Sequence, residues 1–111
     1  ICGARPATRA STYADDMIDG IRRLMDSGLE HGVNIGRQEY VSVDELVRTI
    51  VAVAGKKIEI KHVQGPVGVK ARNFRVDRIS SIGWTSRFSL RQGLALTYPW
   101  VKAQVEAHKN T

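Results

Sequence analysis

Apolar residues fall along this chain in blocks with distinct periods. Between Asp15 and Gly28, Ile18, Ile21, Leu24 and Met25 recur at three- and four-residue intervals, the spacing of one helix face. Asp15 and Asp16 suit the start of that helix as caps and as partners for its positive end, and Gly28 suits its stop. Gly20, inside the helix, marks a place of close packing. Gly32 to Gly36, GVNIG, reads as a short buried strand. Ser42 to Glu45 has the Ser-x-x-Glu form of a capping box. Val43, Leu46, Val47, Ile50, Val51 and Ala54 then form a broad apolar face, closed by Gly55. From Lys57 to Val63 the pattern alternates, with Ile58, Ile60 and His62 on one side, as in a half-exposed strand. Asp77 to Ile82 gives a short helix ended by Gly83. Ser89 to Gln92 is a second capping box, opening a long helix faced by Leu90, Leu94, Tyr98, Val101 and Val105. Pro99 removes one backbone donor from that helix and predicts a kink. The lead-in before Ala14 is irregular, with an extended stretch from Arg9 to Tyr13. The resulting order is helix, strand, helix, strand, short helix, long helix. It is α/β in character, with too few strands for a complete doubly wound sheet.

After the second strand, Gly65 to Trp84, GPVGVKARNFRVDRISSIGW, runs from a glycine-bracketed loop through a basic patch into the short helix. Gly65 and Gly68 allow tight turning around Pro66. Lys70, Arg72, Arg75 and Arg78 follow within nine residues, with Asp77 among them. A basic loop held between ordered elements suits a bound anion, most simply a phosphate. Its plain alternative is a solvated basic surface.

Composition narrows this picture modestly. With 111 residues, the chain suits one domain with a modest core. A net charge of +6 favours anionic partners without choosing among nucleic acid, nucleotide and acidic protein. No apolar run approaches the roughly 20 residues of a membrane span. No signal-peptide pattern opens the chain. Cys2, the single cysteine, has no partner for an internal disulfide, which fits a reducing cytoplasm.

Candidate chemistry is sparse. His31, His62 and His108 lie far apart in sequence, none beside a second metal-ligating residue at ligand spacing. The chain has neither a Gly-x-Gly-x-x-Gly turn after a strand nor a phosphate-binding P-loop. Tyr98 and Lys102 have the Tyr-x-x-x-Lys spacing of a dehydrogenase pair but no cofactor fingerprint beside them, so Tyr98 reads as core-facing and Lys102 as its solvated neighbour. GPVG has the form of an RNA-clamping Gly-x-x-Gly loop. That clamp joins two helices, whereas this loop follows an expected strand. Aromatic residues make up 6% of the chain and do not interleave with the basic patch, which supplies base stacking poorly.

The motifs taken in order carry a resemblance. TRASTYADDMIDGIRRLM, GVNIG, VSVDELV, GPVGVKARN, IGW and SLRQGLALTYPWVK succeed one another as in the C-terminal half of extended short-chain dehydrogenases, the nucleotide-sugar epimerases and dehydratases. The resemblance covers nearly the whole chain and implies an incomplete Rossmann-type fold. Residues 1–111 would form a single substrate-binding portion, with helices packed on a few short strands. It implies that NAD and the catalytic Tyr-x-x-x-Lys belong to an N-terminal half not contained in this sequence, so that this chain alone binds no cofactor and supplies no catalytic residue. Arg72 matches the family's diphosphate-contacting arginine, Arg9 matches a second arginine of the sugar-nucleotide pocket, and Lys70 stands beside Arg72. Ala10 and Ser11 depart from the serine and aromatic residue usual after Arg9.

The expectation is therefore a nucleotide-sugar-binding portion, for a GDP-sugar first, inactive alone and prone to form homo-oligomers. Two other readings stay open. One is a small basic module for nucleic acid or an acidic partner, and the other is a non-catalytic assembly domain. Oligonucleotide binding with a steep salt dependence would mark the basic module. Oligomerisation without ligand binding would mark the assembly domain.

Overall fold

A computed structural model describes residues 1, 7–65 and 74–109. They form four helices and one short antiparallel ribbon. Strand β1 (Thr8–Ala10) pairs with β2 (Tyr40–Ser42), in the register Thr8 with Ser42, Arg9 with Val41 and Ala10 with Tyr40. Helix α1 (Ala14–Asp26) follows β1, and α2 (Val43–Ala54) follows β2 directly. Helix α3 (Asp77–Ser81) is a short turn before α4 (Leu90–Lys109), which packs against α2.

Both capping boxes form where expected. The Ser42 hydroxyl accepts from the Glu45 amide at 3.1 Å, and Gly55 closes α2 in the left-handed conformation at φ 66°. At α4 the box is reciprocal. The Gln92 amide donates to the Ser89 hydroxyl at 3.2 Å, and the Ser89 amide donates to the Gln92 side chain at 2.9 Å. Glu39 adds a cap from outside the helix, accepting from the Leu90 amide at 3.0 Å and from Arg37 at 2.7 Å. The Leu90 amide above all, with the Arg37 side chain, holds the Glu39 carboxyl below its ordinary pKa.

Three local expectations need correction. Helix α1 begins at Ala14 with Tyr13 as its cap residue and no side-chain cap, while Asp15 and Asp16 occupy its first turn. The segment 32–39 is not a strand. Its polar groups are taken by side chains, as where the Arg37 amide donates to the Thr12 hydroxyl at 3.1 Å. Lys57 to Val63 is not a strand either. It makes a single bridge, in which the Val63 amide donates to the Ile1 carbonyl at 2.9 Å and the Ile1 ammonium donates to Lys61 O at 2.7 Å.

The core centres on Trp84 and Ile79, the buried apolar side chains among the described residues. The Trp84 indole N–H donates to the Asp16 carbonyl at 2.9 Å, tying the segment after α3 to the first turn of α1. Trp84 lies against Gly20: a Cβ there would stand 2.7 Å from Ile35 Cγ2 and 3.1 Å from Trp84 Nε1. Gly20→Ala is therefore expected to destabilise the chain by about 1–2 kcal/mol, because overpacking outweighs the better helix propensity of alanine. Urea unfolding checks this, and a stability gain in the variant would show that the packing yields.

Helix α1 turns Asp16 and Gly20 inward, where both are buried, while Ile18, Ile21 and Met25 are 55%, 45% and 78% exposed. The outer half of α4 is likewise exposed, with Trp100, Val101 and Val105 in contact with solvent.

Candidate functional site

The described residues form an open cleft of about 420 Å³ between β1, the segment after α1 and Phe74. Ala10, Thr12, Met17, Asn34, Ile35, Gly36 and Phe74 line it. Successive side chains on a strand point to opposite faces, so Ala10 and its partner Tyr40 share the cleft face, while Arg9 and Val41 share the other. Gly36 is required at the cleft floor, because a Cβ would come within 2.9 Å of the Phe74 ring.

Phe74 is held on three sides. Its amide donates to the Tyr40 hydroxyl at 3.2 Å, and its carbonyl accepts from Gln38 Nε2 at 2.8 Å and from the Tyr40 hydroxyl at 3.4 Å. The Tyr40 and Phe74 rings are tilted at 59° with centroids 5.8 Å apart. One residue on, Asn34 Nδ2 donates to the Arg75 carbonyl at 3.4 Å. The chain therefore leaves the basic stretch at a fixed point on the cleft wall.

Arg9 is in β1, exposed, with a terminal guanidinium nitrogen donating to the Thr8 carbonyl at 2.7 Å. Arg72 and Lys70 lie outside the described residues, as does most of GPVG. Of the remaining loop cations, Arg75 pairs with Asp77 at 2.9 Å and Arg78 donates to the Gly32 carbonyl at 2.9 Å. Arg75 is largely solvated and could meet an anion, whereas Arg78 has a structural partner. Tyr98 is half-buried on α4, and Lys102 stands 4.0 Å from Glu106.

Sequence reading missed several juxtapositions. His62 Nε2 lies 2.9 and 3.0 Å from the two carboxylate oxygens of Asp44, a pairing across 18 residues that no local spacing signals. No group of three or more His, Cys, Asp or Glu suited to a metal occurs among the described residues. Asp16 was read as a cap, yet it is 2% exposed. Its carboxylate accepts from the amides of Arg87 at 3.1 Å and Phe88 at 3.0 Å, and from the Ser86 hydroxyl at 2.9 Å. Burial alone would push the Asp16 carboxyl up. The Phe88 and Arg87 amides, the Ser86 hydroxyl and the Arg87 charge outweigh it and hold the pKa below its ordinary value. Gly20, one turn after Asp16, was the available signal that this face of α1 points inward.

Known proteins resemble this chain in sequence and fold. GDP-mannose 3,5-epimerase of Arabidopsis thaliana is 38% identical over 103 residues, covering 92% of this chain and 27% of that enzyme. UDP-glucuronic acid 4-epimerase from Bacillus cereus, solved with UDP-glucuronic acid and NAD, superposes with a TM-score of 0.82 at 24% identity, over 94% of this chain and 35% of that one. dTDP-glucose 4,6-dehydratase from Bacillus anthracis, solved with NAD, superposes with a TM-score of 0.84 at 20% identity, over 96% and 35%. The two superpositions establish a Rossmann-type extended short-chain dehydrogenase fold, here with a two-stranded sheet among the described residues. No family model matches the chain. No helix among the described residues is long and apolar enough to cross a membrane. The curated relative, the structural neighbours and the order of the motifs agree: the chain belongs to the extended short-chain dehydrogenase/reductase family of nucleotide-sugar epimerases and dehydratases, as a C-terminal portion resembling that of GDP-mannose 3,5-epimerase.

Proposed function

We propose that this chain is the nucleotide-sugar-binding portion of an NAD-dependent sugar epimerase, with a GDP-sugar as its ligand. The observation that carries the reading is the 38% identity to GDP-mannose 3,5-epimerase across nearly the whole chain. The cleft beside Phe74 supports it, because Phe74 follows GPVGVKARN directly in the sequence. In this reading Arg72 and Lys70 meet the diphosphate, where guanidinium groups make charge-assisted contacts, and Arg9, exposed on the ribbon face turned away from the cleft, is the second arginine of the pocket. The sequence carries no glycine-rich cofactor turn, so NAD would be held by an N-terminal half of the full-length protein. Bound there, NAD would supply transient oxidation of the sugar, the chemistry that makes its carbons acidic enough to invert. The residues of this chain bind and orient the substrate.

Two outcomes follow. The chain alone, supplied with NAD and GDP-mannose, is expected to show no turnover, as judged by chromatography of the sugar nucleotide. Turnover by the purified chain that disappears in Tyr98→Phe would assign catalysis to the Tyr98 and Lys102 pair instead. The exposed apolar edge of α1 at Ile18, Ile21 and Met25 is expected to drive self-association. Analytical ultracentrifugation checks it, and a monomer at high concentration would contradict it. The ligand reading itself is tested on the full-length protein by competition. GDP-mannose is expected to bind in preference to a single-stranded oligonucleotide, and the reverse order with a steep salt dependence would overturn it.

A further inference from the structure

We propose that the cleft between residues 36–39, α3 and Trp84 to Ser86 is a binding site for a neutral sugar ring, held through a vicinal diol by Arg37 and Glu39. The cleft encloses about 230 Å³ and is open to solvent. Clefts for drug-sized ligands run to roughly 300–1,000 Å³, so this one suits a single ring and not a whole nucleotide sugar. Arg37 and Glu39 stand side by side on its wall, Nε to Oε1 at 2.7 Å. Ser86 also holds Arg37: its hydroxyl lies 3.4 Å from Nη1 and donates to the buried Asp16 carboxylate at 2.9 Å. These contacts fix the guanidinium and occupy only part of its donor fork. Its remaining N–H groups have no partner among the described residues. The other contact of Glu39, from the Leu90 amide, also falls on Oε1, which leaves Oε2 without a partner among the described residues. The exposed hydroxyls of Ser80 and Thr85 border the same cleft and make no hydrogen bond among those residues. Free donors and free acceptors therefore occur together. A sugar diol uses both, since each hydroxyl donates and accepts. A phosphate or carboxylate ion would accept only, and it would meet the Glu39 charge beside Arg37. Val76 and Trp84 give the cleft an apolar side for the C–H face of a ring. Gly36 is the one lining residue shared with the cleft beside Phe74, so this site is separate from the nucleotide-sugar reading above.

Saturation-transfer difference NMR on the full-length protein tests this. One ligand is methyl mannoside, which carries a cis vicinal diol. The other is tetrahydropyran-2-methanol, which keeps the ring and lacks the diol. Methyl mannoside is expected to give a saturable signal that GDP-mannose does not displace, and the diol-free ring is expected to give none. Arg37→Lys keeps the charge and loses the fork, and it is expected to weaken methyl mannoside binding at least about tenfold. Thr85→Val removes one exposed hydroxyl and no hydrogen bond of the described fold, and it is expected to weaken binding about two- to fivefold. It keeps the proposal testable should Arg37→Lys disturb the start of α4 through Glu39. These two variants decide the matter without any assumption about the nucleotide. No saturable methyl mannoside signal, a signal that both variants leave unchanged, or an equal signal from the diol-free ring would overturn the proposal. So would displacement of methyl mannoside by GDP-mannose or by inorganic phosphate.

Discussion

Asp16→Ala is expected to destabilise the chain by about 3–5 kcal/mol, a large share of what a domain of this size has. The substitution removes the acceptor for two amides and a hydroxyl, and it leaves the Arg87 and Phe88 N–H groups without that carboxylate. Unpaired buried donors cost about 1–3 kcal/mol each. The segment these groups anchor, Ser86 to Phe88, leads into the capping box of α4, so the start of that helix is expected to fray as well. Asp16→Asn keeps one acceptor oxygen but turns an amide donor toward the same N–H groups, and it is expected to lose about half as much.

The effect carries a pH signature. The carboxyl of Asp16 is held below its ordinary pKa in the folded chain, so its stabilising contribution is present above the unfolded pKa and is lost as pH falls through the folded one. Glu39, lowered by the Leu90 amide and Arg37, contributes with the same sign. Stability is therefore expected to fall as pH drops below about 4. The gap between wild type and Asp16→Asn should narrow in the same range. Urea unfolding at about pH 7 and about pH 2.5 reads this directly, and an unchanged gap would show that Asp16 does not act through its charge.

Some of this was legible in the residues. The boundaries of α2 and the start of α4 follow from their capping boxes, because the first turn's free amides need acceptors and Ser42, Ser89 and Gln92 supply them locally. Gly20 signalled close packing, and the Trp84 ring lies against it. Period-two alternation from Lys57 to Val63 misled, since alternation describes side-chain faces and not whether a neighbouring strand exists to take the backbone groups. Val63 finds Ile1, and the stretch makes no longer ladder among the described residues. GVNIG failed as a strand for a similar reason. Of the site, the motif order pointed to the family, while Arg72 and Lys70, the candidates named with it, lie outside the described residues. The Tyr40, Gln38 and Phe74 anchor was illegible, because it joins residues 34 or more positions apart through hydroxyl and amide groups that hydrophobic patterning does not register.

The second large effect concerns Arg72. In the full-length protein, Arg72→Ala is expected to weaken GDP-sugar binding by about 2–3 kcal/mol, roughly 30- to 150-fold, the worth of hydrogen bonds to a charged group. Arg72→Lys is expected to recover only part of that, since an ammonium keeps the charge and loses the paired geometry. Arg75→Ala is expected to matter less, because Arg75 already pairs with Asp77 in solvent. Arg9→Ala is expected to weaken binding too, and less than additively with Arg72→Ala if both meet one diphosphate.

The central claim is that this chain recognises a nucleoside diphosphate. Calorimetric titration of GDP and GMP into the full-length protein and its Arg72→Ala variant tests it most directly. The expected result is at least about tenfold tighter binding of GDP than of GMP in wild type, with that preference lost in the variant. Equal affinity for GDP and GMP in wild type, or a GDP preference that survives in Arg72→Ala, would contradict it.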